Sequence, residues 1–154
     1  MQDRREFLLL TVLALCAASF MAEPASAALG EDAGVVSGES ARLKAGLKVV
    51  AGAGYSIHEL QTPANTTIRE FASPSGVVFA VTWQGPFKPD LRQLFGRYFD
   101  IYTRAPRSAG STRARMAIDL QDLVVRSGGH MRSYSGVAYV PGLMPTGVTA
   151  GDLQ

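Results

Sequence analysis

Residues 66–84 read TTIREFASPSGVVFAVTWQ, and this stretch decides the fold. It holds two runs rich in β-branched and aromatic residues, which favour strands, on either side of a Pro-Ser-Gly turn at 74–76. A further run at 55–61 is separated from them by a Thr-Pro-Ala-Asn turn. Strands that follow one another through short turns pair antiparallel, so the sequence predicts a three-strand meander over 55–61, 66–73 and 77–84.

The third predicted strand alternates along its length and puts one apolar set on a single face: Val77, Phe79, Val81 and Trp83. Downstream, apolar residues recur at helical spacing from Leu91 to Tyr102, and Asp90 before them is a good N-cap. We expect this helix to pack its apolar stripe on that sheet face. Gly96 inside the helix costs roughly 1 kcal/mol relative to alanine, which predicts a close approach of another chain segment there.

The rest of the chain gives weaker signals. Residues 103–115 form a predicted loop, and two more strands are expected at 123–127 and 131–140, joined by a Gly-Gly hairpin turn. A short helix is expected near residues 39–47, and the last residues read as a loose tail. The predicted fold is α+β: a mainly antiparallel sheet, with a three-strand meander plus a C-terminal hairpin, packed against one main amphipathic helix.

The first 27 residues have the three parts of a secretory signal peptide. Two arginines supply a positive start, an apolar run follows over 7–22, and an Ala-x-Ala pattern ends at Ala27. We expect cleavage near Ala27, which leaves 28–154 as one small domain in the periplasm or outside the cell; an uncleaved anchor is the alternative. The start also resembles the twin-arginine pattern R-R-x-F-L, so the general and the twin-arginine routes both stay open.

The amino-acid composition limits the classes of function that this protein can have. Beyond residue 27 the chain has 13 Lys+Arg and 10 Asp+Glu, a net charge of +3. This charge is too small for the dense positive field of a dedicated nucleic-acid binder, so no nucleic-acid partner is expected. The only cysteine, Cys16, lies in the apolar run, so the mature protein should have no disulfide. No later segment is long and apolar enough to predict a membrane span.

Three blocks of sequence stand out: REFASPSGVVFAVTWQGP at 69–86, PDLRQLFG at 89–96, and SGGHMR at 127–132 with the YSG and AYVP motifs that follow it. Together they resemble an uncharacterised exported bacterial family, domain of unknown function 2844. The resemblance spans nearly the whole mature chain and implies a small exported protein of a Gram-negative bacterium. It brings no known activity, cofactor or catalytic residue, so it assigns no site residue here.

The two histidines, His58 and His130, are the candidates for catalysis. A zinc site takes three or four protein ligands at recognisable spacing, and two distant histidines do not supply them, so no metal site is predicted. Adjacent strand residues point to opposite faces, which separates His58 from Glu59. No G-x-S-x-G elbow is present. The simplest expectation places His58 on the sheet surface and His130 beside the hairpin, and a small hydrolase that uses either one is the alternative function.

Arginines and aromatic residues supply the candidates for binding. The 103–115 loop has four arginines and no acidic residue, a pattern that suits an anionic partner but is also typical of a solvated loop: Arg104, Arg107, Arg113 and Arg115. Most aromatic side chains fit the predicted core. Phe87 and Phe99 fit it least, and they become candidate contact residues if they are exposed.

The sequence therefore predicts an exported single-domain protein of unknown function, and favours a non-catalytic binding or interaction module of the cell envelope. Its partner would be an envelope protein, an envelope polymer or a small molecule, and no cofactor is implied. Besides the hydrolase, a structural accessory of an envelope complex stays open. An exposed apolar or arginine-rich patch would favour binding, whereas a histidine in a cleft beside a carboxylate or hydroxyl would favour an enzyme.

Overall fold

A computed structural model describes residues 28–34, 47–108, 111–112 and 115–153. These residues form seven strands: β1 Lys48–Ala51, β2 Ser56–Gln61, β3 Thr67–Ala72, β4 Val78–Gly85, β5 Arg115–Asp119, β6 Val124–His130 and β7 Ser133–Tyr139. Between β4 and β5 lies one helical run, made of α1 (Leu91–Phe95), a 3-10 turn (Gly96–Tyr98) and α2 (Phe99–Arg104). Two further 3-10 turns, Pro141–Leu143 and Ala150–Asp152, follow β7. The fold is thus α+β and consists mainly of antiparallel sheet.

All seven strands belong to one antiparallel sheet, in the order β1-β2-β3-β4-β7-β6-β5. β1 to β4 form one meander, and β5 to β7 form a second meander that returns so that β7 pairs with β4. The predicted strands correspond to β2, β3, β4, β6 and β7. The prediction lacks both edge strands, β1 and β5. β1 has four residues and all of them are exposed, so it shows no alternation of apolar and polar residues, and β5 begins with Arg115, the last residue of the predicted arginine-rich loop.

Some expectations fall on other parts of the chain. The signal peptide at 1–27 and nearly all of the helix expected near 39–47 lie outside the described residues. Within the described residues, no helix is long and apolar enough to cross a membrane.

One face of the sheet, called the helix face, packs against the helical run. A row of buried side chains crosses this face from strand to strand: His58, Glu70, Val81, Ala138, Val125 and Ile118. Leu94 and Phe95 of α1 cover it, and the rings of Trp83 and Phe95 lie 6.0 Å apart. The predicted packing of the helix on Val81 and Trp83 is confirmed.

A bulge sends Phe79 to the face opposite the predicted one. The pairing of β3 with β4 shifts between Phe71 and Ala72, which leaves Phe79 as the extra residue. The Phe79 ring lies 6.3 Å from that of Phe71, in a second cluster away from the helix. The alternation rule fails here because a bulge reverses which side chains point to which face.

The helical run has the predicted start and the predicted close approach. Asp90 Oδ1 accepts a hydrogen bond of 2.8 Å from the N–H of Arg92, so Asp90 caps α1. Gly96 ends α1 with φ 47°, and a Cβ there would lie 2.5 Å from the Cβ of Ala28. The segment that approaches Gly96 is therefore 28–34.

Segment 28–34 joins the helix to the sheet. The N–H of Leu29 donates to the carbonyl oxygen of Leu94 at 2.9 Å, and the N–H of Gly30 donates to that of Val78 at 2.7 Å. The Leu29 side chain is fully buried. One short segment thereby contacts α1 and the first residue of β4 together.

The opposite side of the sheet, called the open face, is covered over only part of its area. Its apolar part holds Tyr55, Phe71 and Phe79, and the segment after β7 packs on it. Leu153 of that segment is 3% exposed, and Val148 is half-buried. The expectation of a loose tail is therefore wrong, because the apolar residues of the tail have an apolar sheet surface to cover.

The β6–β7 hairpin turns at Met131 and Arg132 and not at the Gly-Gly pair, so that prediction is wrong. His130 pairs with Ser133 across the turn, and Arg132 adopts φ 66° without being a glycine. Gly129 lies inside β6 with φ 143°, and a Cβ there would overlap the carbonyl oxygen of Ser133. The close approach of the two strands, and not the turn, requires this glycine.

Candidate functional site

A cleft of about 750 Å³ lies beside the helical run, at the end of the sheet where β5 begins. We call it the helix-side cleft. The helical run, the loop that follows it and the β6–β7 hairpin bound it. Its lining combines apolar and aromatic residues (Trp83, Leu91, Tyr102, Met116, Met131, Tyr134), basic residues (Lys88, Arg107, Arg115, His130) and small or hydroxyl residues (Thr112, Ser127, Gly128, Gly129, Ser135).

Three cationic residues line the helix-side cleft and come from three separate parts of the chain. Lys88 precedes α1, Arg107 follows α2, and Arg115 is the first residue of β5. None of the described residues that line the cleft is acidic. A cleft with low-dielectric walls and charges of one sign concentrates the field, so it attracts an anion.

Aromatic side chains form part of the cleft wall. Lys88 Nζ lies 5.5 Å from the centroid of the Tyr134 ring, within the range of a cation–π contact. Tyr102 packs edge-on to Phe95, with centroids 5.0 Å apart. Burial raises the pKa of the Tyr102 phenol above its ordinary value, and the nearby charge of Arg107 partly opposes that rise. The phenol is therefore protonated at neutral pH and can donate a hydrogen bond.

The structure brings two of the predicted arginines into the cleft, Arg107 and Arg115. Arg104 points elsewhere: its guanidinium lies 4.0 Å from Asp100, and both side chains are highly exposed. Such exposed pairs contribute little to stability. Arg113 lies outside the described residues.

The two predicted aromatic contact residues lie outside the cleft lining. Phe87 is 56% exposed, and its carbonyl oxygen accepts a hydrogen bond of 2.9 Å from Thr66 Oγ1. Phe99 is half-buried, with the Arg92 guanidinium 4.4 Å from its ring centroid and Tyr102 at 5.9 Å. Only Phe87 is exposed, whereas packing within the helical run accounts for Phe99.

His58 lies buried on the helix face and not on the sheet surface, as it is only 7% exposed. Ser56 Oγ lies 3.2 Å from its Nε2, whereas the buried Nδ1 has no hydrogen-bond partner among the described residues. Burial lowers the pKa of His58, so its ring is neutral at pH 7. Glu59 points to the open face, where it pairs with Arg69 at 2.7 Å, so the predicted separation of His58 from Glu59 is confirmed.

A catalytic histidine needs a group that orients it and a substrate that reaches it. His58 lines neither the helix-side cleft nor a second cavity, of about 630 Å³, on the open face. His130 is exposed at the rim of the helix-side cleft, and its Nδ1 lies 3.3 Å from the carbonyl oxygen of Met131. Within the described residues, no group of three or more His, Cys, Asp or Glu side chains could hold a metal ion.

Lys88 and Tyr134 are the cleft residues that sequence reasoning misses. Lys88 lies outside the three sequence blocks, Tyr134 belongs to the YSG motif, which assigns no function, and the two residues are distant in the chain. The pairing of β4 with β7 brings them together, because it places Gly85 opposite Tyr134, three residues before Lys88. The only available signal is therefore the order of the strands, which the local patterns do not determine.

The comparisons with known proteins give a family and no function. The model of the family described as "Protein of unknown function (DUF2844)" matches residues 25–153. No curated protein and no solved structure matches the chain. The family match covers most of the chain, including all the strands and the helical run described above. The chain therefore belongs to the DUF2844 family of proteins of unknown function.

Proposed function

We propose that this protein is an exported, non-catalytic binding module of the bacterial cell envelope, and that the helix-side cleft binds an anionic group of its ligand. One observation carries the proposal: Lys88, Arg107 and Arg115 line a single cleft in which no described lining residue is acidic. Arginine presents a planar fork of N–H donors that matches the geometry of a carboxylate or a phosphate. The two arginines therefore favour an oxyanion.

The aromatic wall indicates what the anion is attached to. Tyr102 and Tyr134 are half-buried and present apolar ring surface with a hydroxyl at its edge. Such side chains pack well against a ring that carries its own polar groups. The ligand class that fits is an anionic sugar or another ring that bears a carboxylate or phosphate.

The sequence pattern of the first 27 residues supports export. We place the mature protein, cleaved near Ala27, in the periplasm or outside the cell, by either the general or the twin-arginine route. In that compartment an envelope polymer, an envelope protein or a small molecule supplies the anionic group. N-terminal sequencing of the exported protein should give a start at Ala28, and retention of the leader would contradict this assignment.

The test of the cleft is an NMR titration of isotopically labelled protein that is produced with its own leader and purified from the exported fraction. The probes are galacturonate, glucose phosphate and the neutral sugar galactose. We expect at least one anionic probe to shift the amide signals of Thr112, Arg115 and Gly129, and galactose to leave them unchanged.

Arg107→Gln should abolish the shifts at Thr112 and Gly129, since it removes one of the cations that line the cleft. Arg104→Gln is the matched control, because it removes an arginine from the same stretch that does not line the cleft. The proposal would be overturned if Arg104→Gln reduced the shifts as much as Arg107→Gln does. It would also be overturned if none of the anionic probes shifted these amide signals.

A hydrolase is the second candidate, because His130 lies at the rim of the same cleft. If the protein is a hydrolase, it should slowly cleave a nitrophenyl ester or glycoside, and that cleavage should disappear in the His130→Ala variant. His58 is a weaker candidate because it is buried away from both cavities.

A further inference from the structure

A group of exposed residues lies at the end of the sheet where β6 turns into β7, and we call it the hairpin end. It consists of four cationic and two large apolar residues: Lys88, Arg107, Arg115, Arg132, Phe87 and Met131. We infer that the hairpin end docks on the surface of an anionic lipid bilayer and that its two apolar side chains enter the interfacial layer. This inference goes beyond the proposed function and does not rest on it, because it concerns an outer surface and not the ligand of the cleft.

Strand pairing brings the two apolar residues to the same end of the sheet. Gly85, the last residue of β4, pairs with Tyr134 of β7, which pairs in turn with Gly129 of β6. Phe87 follows Gly85 by two residues, and Met131 follows Gly129 by two residues. The strand positions from which they depart are two strand spacings apart, which is roughly 10 Å. One membrane surface can therefore contact both side chains.

The four cations reach the same end from different parts of the chain. Arg132 lies in the β6–β7 turn itself, and Arg115 begins β5 opposite the last part of β6. Lys88 lies near the ring of Tyr134, and Arg107 lines the same cleft as Lys88. The cations therefore surround the two apolar residues without belonging to one sequence motif.

The apolar residues of the hairpin end are unusually exposed for their size. Met131 is 85% exposed and Phe87 is 56% exposed. Single exposed apolar residues are common on protein surfaces, but these two lie among cations. A surface that combines apolar and basic side chains suits an anionic membrane, because the apolar groups enter the interface while the cations attract the lipid headgroups.

The charge of the hairpin end is not neutralised within the protein. The salt bridges of the described residues involve other arginines, namely Arg69, Arg104 and Arg126. Among the described residues, no carboxylate forms a salt bridge with the four cations of the hairpin end. Asp90, the acidic residue nearest to them in sequence, caps α1 by accepting from the N–H of Arg92. The four cations are therefore available to an external anion.

The opposite end of the sheet carries acidic residues. Asp119 ends β5, and Asp122 lies in the turn from β5 to β6. Glu31 and Asp32 lie beside the start of β4, and all four of these carboxylates are exposed. Arg97 adds a cation near this end, where it donates to the carbonyl oxygen of residue 30. A negative surface attracts the basic end of such a molecule and repels the acidic end, so the hairpin end should approach the membrane first.

A soluble polyanion fits the hairpin end less well. It would contact the cations but would leave Phe87 and Met131 in water. Proteins that bind single-stranded nucleic acid stack successive bases on aromatic side chains, whereas Phe87 is the one aromatic residue of the hairpin end. The two apolar residues therefore distinguish a bilayer from a soluble polyanion, and the experiment tests them directly.

The experiment measures cosedimentation of the exported protein with lipid vesicles. One set of vesicles contains phosphatidylglycerol and phosphatidylcholine in equal parts, and the other contains phosphatidylcholine alone. We expect binding to the anionic vesicles, little binding to the neutral ones, and a loss of binding at high salt, since salt screens exposed charges. No binding to the anionic vesicles, or equal binding to both sets, would overturn the inference.

Arg132→Asn tests the charge of the hairpin end. Arg132 does not line the helix-side cleft, and asparagine tolerates the positive φ of this position. The variant should weaken binding to anionic vesicles about fivefold at low salt. Arg97→Gln is the matched control, because it removes an exposed arginine near the opposite end, and it should change binding little. An equal loss in both variants would contradict docking through the hairpin end.

A variant that combines Phe87→Ser with Met131→Ser tests the entry of the apolar side chains. It should weaken vesicle binding on the order of tenfold and should fold normally, because both residues are exposed. Val49→Ser is the control, since Val49 is also 56% exposed but lies in the edge strand β1. Binding that the combined variant leaves unchanged, or that Val49→Ser reduces equally, would overturn the inference. Such a failure would leave the anion site of the cleft standing, because galacturonate and glucose phosphate test that site without a membrane.

Discussion

The helix face and the open face are two sides of the same strands, but they are covered to different extents. The helical run closes the helix face through Leu94 and Phe95 of α1. The open face is closed by an irregular C-terminal segment that ends at Leu153, and its polar part remains a groove. The helix-side cleft shares Trp83 and Tyr102 with the core of the helix face, whereas the polar residues of the open face stand apart from both apolar clusters. Core substitutions on the helix face should therefore affect stability and the cleft together, whereas substitutions of polar residues on the open face should have little effect on stability.

The largest effect should follow a change on the helix face. Phe95→Ala removes a fully buried ring that contacts both Trp83 and Tyr102. We expect a loss of about 3–5 kcal/mol in the free energy of unfolding, measured by urea denaturation. Phe99→Ala on the same helical run is the control, and it should cost clearly less because Phe99 is half-exposed. Equal losses of unfolding free energy in the two variants would contradict the distinction between the buried Phe95 and the half-exposed Phe99.

A smaller loss should follow a change in the cover of the open face. Leu153→Ala should cost about 2 kcal/mol, at the low end for a buried leucine, because the terminal segment can collapse onto the gap. The exposed Thr146→Ala in the same segment should leave the unfolding midpoint unchanged. If Leu153→Ala also had no effect, the C-terminal segment would not contribute to the core.

The third prediction concerns pH. Burial lowers the pKa of His58 in the folded state, so the unfolded state binds a proton more readily. The contribution of His58 to stability should therefore be complete above the ordinary histidine pKa of about 6.5 and should be lost as pH falls towards the lowered value. Unfolding curves at pH 7 and below should show a steeper loss in the natural protein than in His58→Gln. His130→Gln, which changes an exposed ring, is the matched control for the loss of a histidine, and a loss in His58→Gln as steep as in the natural protein would contradict this prediction.

The smallest effect should come from the ion pairs of the open face. The Arg69–Glu59 pair is about one-third exposed on each side. Glu59→Gln should therefore change the free energy of unfolding by about 1 kcal/mol or less. Asp119→Asn tests the matching pair with Arg126 and should behave alike. A loss as large as that of Phe95→Ala would mean that the groove belongs to the structural core after all.

Local patterns predict the middle of this fold and fail at its edges. The turns at 62–65 and 74–76 lie between runs rich in β-branched and aromatic residues, so β2, β3 and β4 are predicted from sequence alone. β1 has no such signal because all four of its residues are exposed. The face to which Phe79 points depends on a bulge, which no local sequence pattern predicts. The turn at Arg132 has a positive φ without a glycine, so the sequence does not predict it either.

The same local patterns predict only part of the candidate site. Composition alone singles out Arg107 and Arg115, since a loop with four arginines and no acidic residue is conspicuous. It cannot separate them from Arg104, because the direction of each side chain depends on where α2 ends and β5 begins. Lys88 and Tyr134 become neighbours only through the pairing of β4 with β7, which is a property of the whole sheet.

That same pairing has a consequence for the rate of folding. Among the described strands, the β4–β7 ladder is the one join between the two meanders. Each meander closes through short loops, whereas the ladder brings together residues separated by the entire helical run and the loop after it. Closing the longer loop costs more chain entropy before any contact repays it. We expect the two halves of the sheet to form early and their union to set the speed at which the molecule becomes native.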